Sequence, residues 1–146
     1  MPSFVPTLAD VIETLEDDTD LQSFAITKWG KEITVKRAYK RRVEIKLSEL
    51  PIILVTRPRR TAREGLARRK DYQHTVRLYA GFHQTDRDKA NDELIEFEEL
   101  IDAALIKDRT RSNTASDTEL NAAENDEGEN HPTYFSVLDY EILKRH

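Results

Sequence analysis

Hydrophobic and polar positions change period once, sharply, between His74 and Leu105. In Thr75–Phe82 the apolar residues Val76, Leu78, Ala80 and Phe82 fall on every second position, which predicts a strand with Thr75, Arg77 and Tyr79 on its other face. Beyond it, Ala90, Leu94, Phe97, Ile101 and Ala104 step by three or four, the stripe of an amphipathic helix. Thr85 occupies the expected N-cap position and Asp88, three residues on, completes a capping box. A strand apolar on one face, followed by a helix apolar along one stripe, predicts a two-layer α/β core.

The remaining segments pack around that unit. Thr7 is expected to open a first helix carrying Leu8, Val11, Ile12 and Leu15, closed by Glu16-Asp17-Asp18. Asp20 can cap a second, short helix from Leu21 to Trp29, stopped by Gly30; a strand through Phe24-Ala25-Ile26 is the alternative. Ile33-Thr34-Val35 suggests a short strand, and Leu50–Thr56, with Pro51 at its start, a strand buried on both faces. Arg57–Lys70 is too long and too charged for a tight hairpin and reads as an extended arm or loop, with partial helix around Ala62–Ala67 admitted. Lys107–His131 has no apolar period and reads as a flexible or partner-ordered loop. After Pro132, a final strand, Thr133–Leu143, should turn Tyr134, Ser136, Leu138, Tyr140 and Ile142 towards the helices. The expected fold is α+β: one domain over residues 1–146, a mixed or mostly antiparallel sheet of about four strands, helices on one face, and mobile segments at 57–72 and 107–131.

Charge adds a feature that the periodicity does not carry. The net charge is −5, yet residues 36–70 hold thirteen Lys/Arg against three Glu, and residues 86–129 hold fifteen Asp/Glu against five Lys/Arg. A basic half and an acidic half on one small domain suit nucleic acid, or head-to-tail self-association. Lys36–Arg42 is the most basic stretch, and the nearby Trp29 and Tyr39 raise base stacking in a cationic groove. A solvated loop, a charged edge strand or a protein contact explains the same residues without nucleic acid.

Candidate chemistry is sparse. With no cysteine there is no disulfide, thiolate site or thiol nucleophile. The N-terminus lacks a secretory pattern, and the longest apolar run, Ile52–Val55, is too short to span a membrane, so work or assembly in a cytoplasm is expected. His74, His83, His131 and His146 have no ligand spacing. Asp86 and Asp88 resemble a magnesium pair, but a helix N-terminus already explains two carboxylates. Glu44-Ile45-Lys46 matches the end of a metal-dependent nuclease site, yet its upstream partner, Asp20, lies in a polar turn. The four isolated glycines form no phosphate loop, and no serine sits in a nucleophile elbow. Neither enzymatic activity nor a cofactor is expected.

Several phrases together carry a family likeness. Leu47-Ser48-Glu49-Leu50-Pro51-Ile52-Ile53-Leu54-Val55-Thr56-Arg57-Pro58 is followed by a strand ending Tyr79-Ala80-Gly81-Phe82, an acidic helix, and a last strand ending Asp139-Tyr140-Glu141-Ile142. In element order and length, from about Thr7 to Ile142, the chain resembles the tail-terminator (tail-completion) proteins of long-tailed phages, nearest the Mu-like contractile-tail type. The resemblance implies a hexameric ring that caps the head-proximal end of the tail tube, stops tube polymerisation and presents a docking surface to the head. Implied partners are the tube protein, the sheath protein in contractile tails and a neck or head-completion protein. DNA passes the lumen unread, no membrane is involved, and the protein resides in the virion. Under this reading Arg57, Arg59, Arg60, Arg63, Arg68, Arg69 and Lys70, with Lys36, Arg37, Arg41 and Arg42, are the expected protein-contact residues. Another neck or head–tail connector ring, and a nucleic-acid-binding module using residues 36–70, are the alternatives.

Overall fold

A computed structural model describes residues 3–37, 45–64 and 70–145. Helices α1 (Val5–Asp17) and α2 (Thr19–Trp29) precede the short strand β1 (Thr34–Lys36); β2 (Ile52–Glu64) and β3 (Lys70–His83) follow, then α3 (Arg87–Ile106), β4 (Asp117–Asn125) and β5 (Thr133–Arg145). The strands form one mixed sheet in the order β1-β2-β3-β5-β4. Only β1 against β2 is parallel. The α+β architecture matches the expectation, with five strands in place of about four.

The two periods read from the sequence build the core. Val76, Leu78, Ala80 and Phe82 of β3 are buried, as are Leu138, Tyr140 and Ile142 of β5, and all join the cluster that holds Leu94, Phe97 and Ile101 of α3. Leu8, Val11 and Leu15 of α1 and Leu21 and Ala25 of α2 complete it, so the three helices cover one face of the sheet. Leu54 and Ile52 point to the other face, where the segment around Ile45 and Leu50 shields them with Tyr79. That explains the unbroken apolar run Ile52–Val55: both of its faces are covered. Farther along, the second face is polar and internally satisfied. Arg77 makes a two-bond ion pair with Asp139 (2.7 and 3.1 Å), and Thr75 and Gln73 donate to Glu141.

The helix starts differ from expectation. For α3 the cap is Asp86, not Thr85: its carboxylate accepts from the Asp88 and Lys89 N–H groups, so Asp86 satisfies two of the unpaired donors at that end. Asp18, not Asp20, caps α2 by accepting from Leu21 N–H, because Glu16-Asp17-Asp18 serves as a junction and not only as a stop. Thr7 does not open α1, which begins at Val5 after Phe4; Thr7 is buried and donates to the Thr114 carbonyl. Gly30 ends α2 as expected, at φ 73°, where a side chain would be strained.

Tyr140 gives this core a pH signature. It is 1% exposed, its hydroxyl donates to Asp102 at 2.9 Å, and burial pushes its pKa well above the ordinary tyrosine value. The unfolded chain releases that proton near pH 10 and the folded chain keeps it, so stability is intact below that pH and falls as pH rises beyond it. Tyr140→Phe is expected to cost about 1 kcal/mol at neutral pH and to flatten the alkaline decline. Urea titrations of both proteins between about pH 8 and 11 decide this; parallel declines would contradict it.

Candidate interaction surfaces

Basic residues distant in sequence converge along one edge of the sheet. Since β1 runs parallel to β2 with Lys36 beside Leu54, Lys36 and Arg37 leave β1 where β2 approaches Arg57. Past Leu54 no described strand pairs with β2 on the side away from β3. Over this stretch Arg57, Arg59 and Arg60 are exposed. Register shifts between Thr56 and Arg59, so Arg57 and Pro58 form a bulge, and a proline there deprives the edge of one donor. Arg60 lies over the Tyr72 ring at 4.6 Å, a cation–π contact that fixes one of these cations against the strand.

In the segment Arg57–Lys70 the described residues are extended strand, as an arm would be, with no helix at Ala62–Glu64; residues 65–69 lie outside the described residues. Arg57–Glu64 and Lys70 belong to the distal half of a long strand pair, Arg59↔Thr75 through Glu64↔Lys70. Charge had argued against a hairpin, but β3 is held on its far side by β5 from Asp71 to His83, and this two-sided pairing carries the charged half along. Arg63 and Lys70 occupy strand positions opposite Asp71 and Glu64. Arg41, Arg42, Arg68 and Arg69, and likewise Tyr39 and Glu44, lie outside the described residues. Trp29 is not available for base stacking. Its ring stacks on Phe82 at 4.6 Å and meets Phe97 edge-on at 5.1 Å, and its N–H donates to Glu93.

An acidic edge lies at the opposite side of the sheet, in the region expected to be a flexible loop. Asp117–Asn125 is a strand, β4, paired with β5 through a bulge at Asn121. From Glu119 onwards every residue of β4 is exposed, Leu120, Ala122 and Ala123 included. Residues 117–129 carry six Asp/Glu and no Lys or Arg. Two of the six have local work: Asp117 pairs with Arg109 (2.6 Å), which holds its carboxyl below the usual range, and Asp126 accepts from Gly128 and Asn130 in the β4–β5 turn. Glu119, Glu124, Glu127 and Glu129 take part in no ion pair among the described residues. The acidic α3 packs over β5 and β4, so the described residues of the basic block line one edge of the sheet and those of the acidic block lie at the other edge and on the helix above it.

The connector from α3 to β4 is held by polar bonds in place of apolar ones. Arg111, Ser112 and Asn113 all have left-handed backbone, φ 50°, 56° and 67°. Asp108 steadies this turn by accepting from the Thr110 hydroxyl, Ser112 N–H and Thr110 N–H, which keeps its carboxyl below the ordinary aspartate pKa. Arg111 is fully buried. Its guanidinium donates to the carbonyls of Leu105 and Asp108 and to Thr14 Oγ1 at 3.3 Å, and pairs with Asp10 at 3.4 Å.

Groups suited to chemistry remain apart. Among the described residues no three His, Asp or Glu side chains converge to hold a metal ion. Asp86 and Asp88 are accounted for by the start of α3, and Asp20 lies on α2 beside Lys107 (3.7 Å). His74 stacks on Phe4 at 3.8 Å within the core. A cleft of about 430 Å³ between α3 and the β4–β5 turn is lined by Arg87, Asn91, Leu94, Glu127 and Tyr134, without a nucleophile–base pair. No helix among the described residues is long and apolar enough to cross a membrane. Comparison with protein-family models and with curated proteins finds no match to this chain.

Proposed function

We propose that this chain is a structural virion protein of the tail-terminator kind, a ring subunit that caps the head-proximal end of a phage tail tube and halts its growth. One observation supports the reading: among the described residues, basic side chains line the β1–β2 edge of the sheet and acidic ones the opposite β4 edge, with the acidic α3 packed over β5 and β4. Such a subunit meets a copy of itself through unlike surfaces, and contacts of that type close into rings. The likeness in element order supplies the number of subunits, six, and the target, the tube end. Tube, sheath and neck subunits would dock on the ring, and DNA would pass its lumen without base readout.

The test is to add the purified protein to polymerising tube subunits. Capped tubes of arrested length bearing a six-fold ring are the expected result; tubes that grow unchanged would overturn the proposal. Replacing Arg57, Arg59 and Arg60 together by Gln is expected to weaken assembly while the fold persists. Exposed ion pairs are worth about 0.2–1 kcal/mol each, so three lost contacts lower association roughly 3- to 100-fold, with the larger apparent losses at low salt where screening is least. Strong salt-dependent retention of free duplex DNA, abolished by the same substitutions, would instead favour a nucleic-acid module.

A further inference from the structure

We infer that copies of this chain join edge to edge, the β2 edge of one pairing with the β4 edge of the next, so that the sheets become continuous around the assembly. Six-fold closure rests on the terminator reading; the pairing does not.

Both edges are strands with a side unoccupied by any described strand. Natural sheet edges are normally blunted against such pairing by lysine, proline or brevity. Within its nine residues β4 has no proline and no cation; a bulge at Asn121 interrupts its edge, and beyond that bulge the exposed Ala122 and Ala123 have small side chains that let another backbone approach. Among the described residues the β2 edge is blunted at Arg57–Pro58, and Arg59–Glu64 is a run that no described strand pairs on that side. Charge then selects the partner. Two β2 edges would set Arg59 and Arg60 against their own copies, and two β4 edges would oppose Glu119 and Glu124; both isologous pairings are repelled. Only β2 against β4 matches arginine with glutamate, which rules out a two-fold dimer and leaves a heterologous chain or ring. A second copy is therefore the occupant that suits both edges at once.

Charge reversal tests this without an unknown ligand. Arg59→Glu/Arg60→Glu reverses one edge and Glu119→Arg/Glu124→Arg the other. Light scattering and native mass spectrometry are run from micromolar to millimolar protein at low salt. Wild type is expected to associate, and each variant alone to lose association about a hundredfold or more. An equimolar mixture restores every interface if the two variants alternate, giving complexes with equal numbers of each. Ala123→Pro separates strand pairing from mere charge contact. The Asp126 N–H bond to the Phe135 carbonyl sets the alternation that turns the Ala123 N–H to the open edge, so this proline removes a donor that β5 does not use. Ala123→Pro should abolish association while circular dichroism and Tm stay near wild type.

A wild type that stays monomeric throughout, a mixture that fails to reassociate, or association that survives Ala123→Pro would each overturn the inference. The tube-capping assay is read separately. Capping that persists when the mixture fails leaves the function and discards this interface, whereas edge-paired rings that never arrest tubes do the reverse.

Discussion

Arg111→Ala is expected to remove about 3–5 kcal/mol from the unfolding free energy, the largest single-residue effect in the chain. The guanidinium has no exposure to water, and it reaches the Leu105 and Asp108 carbonyls, Thr14 Oγ1 and the Asp10 carboxylate together. Burial pulls its pKa below the ordinary guanidinium value, and Asp10 and Asp108 act in the opposite sense. Truncation would strip the last turn of α3 of a donor to its carbonyls and leave Asp10, itself only 16% exposed, without its cation. The loss would be read as a fall in the urea midpoint at constant m-value. Arg111→Lys should recover less than half of it, since a single ammonium cannot reach all four groups set around a planar fork. A loss below about 1 kcal/mol for Arg111→Ala would mean that water replaces the guanidinium without penalty, and the buried-cation account would fail.

Gly81→Ala is expected to cost about 1–3 kcal/mol by overpacking. Gly81 faces Phe135 across β3 and β5, and the Phe135 ring, 2% exposed, occupies the space a side chain at position 81 would need. A Cβ at position 81 would sit 2.6 Å from Phe135 Cδ1 and 3.1 Å from Cζ, inside van der Waals contact with a ring that has little room to swing. The explanation is steric and local, so it predicts coupling. In a Phe135→Leu background, which removes most of the ring, the same Gly81→Ala change should be close to neutral. Equal costs in both backgrounds, measured by chemical denaturation, would point to backbone strain in place of the ring.

These two sites show where the sequence was readable. Periodicity located β3, α3, β5 and the buried run Ile52–Val55, because burial on one face or both leaves a repeat in the apolar residues. It could not find β4: all its residues after Thr118 are exposed, so no face of that strand leaves an apolar repeat, and β5 alone holds it in register. Arg111 was hidden for a related reason. A lone arginine in a polar stretch resembles solvated charge until the carbonyls at the end of α3 close around it. The basic residues were visible as a cluster in the sequence, but the placement of Lys36, Arg37, Arg57, Arg59 and Arg60 along one edge depended on β1 running parallel to β2, and no local pattern encodes that. Thr85 and Asp20 were each two positions or fewer from the true caps, Asp86 and Asp18, within the usual blur of helix boundaries.

The order of strands also bears on how the chain acquires its shape during synthesis. β5 follows the four other strands along the chain, yet it lies between β3 and β4 and bonds to both. The β2 and β3 strands are neighbours in sequence and can pair early, whereas β3 must wait for residues 133–145, about sixty positions downstream, before its second side is satisfied. Until then the apolar face beneath α1 and α3 is incomplete and the β3 edge is open to any other nascent strand. The strand with two strand neighbours on which both β3 and β4 depend is therefore made after both of them. Folding speed will be governed by the docking of that final segment, and misassembly by whatever reaches β3 first.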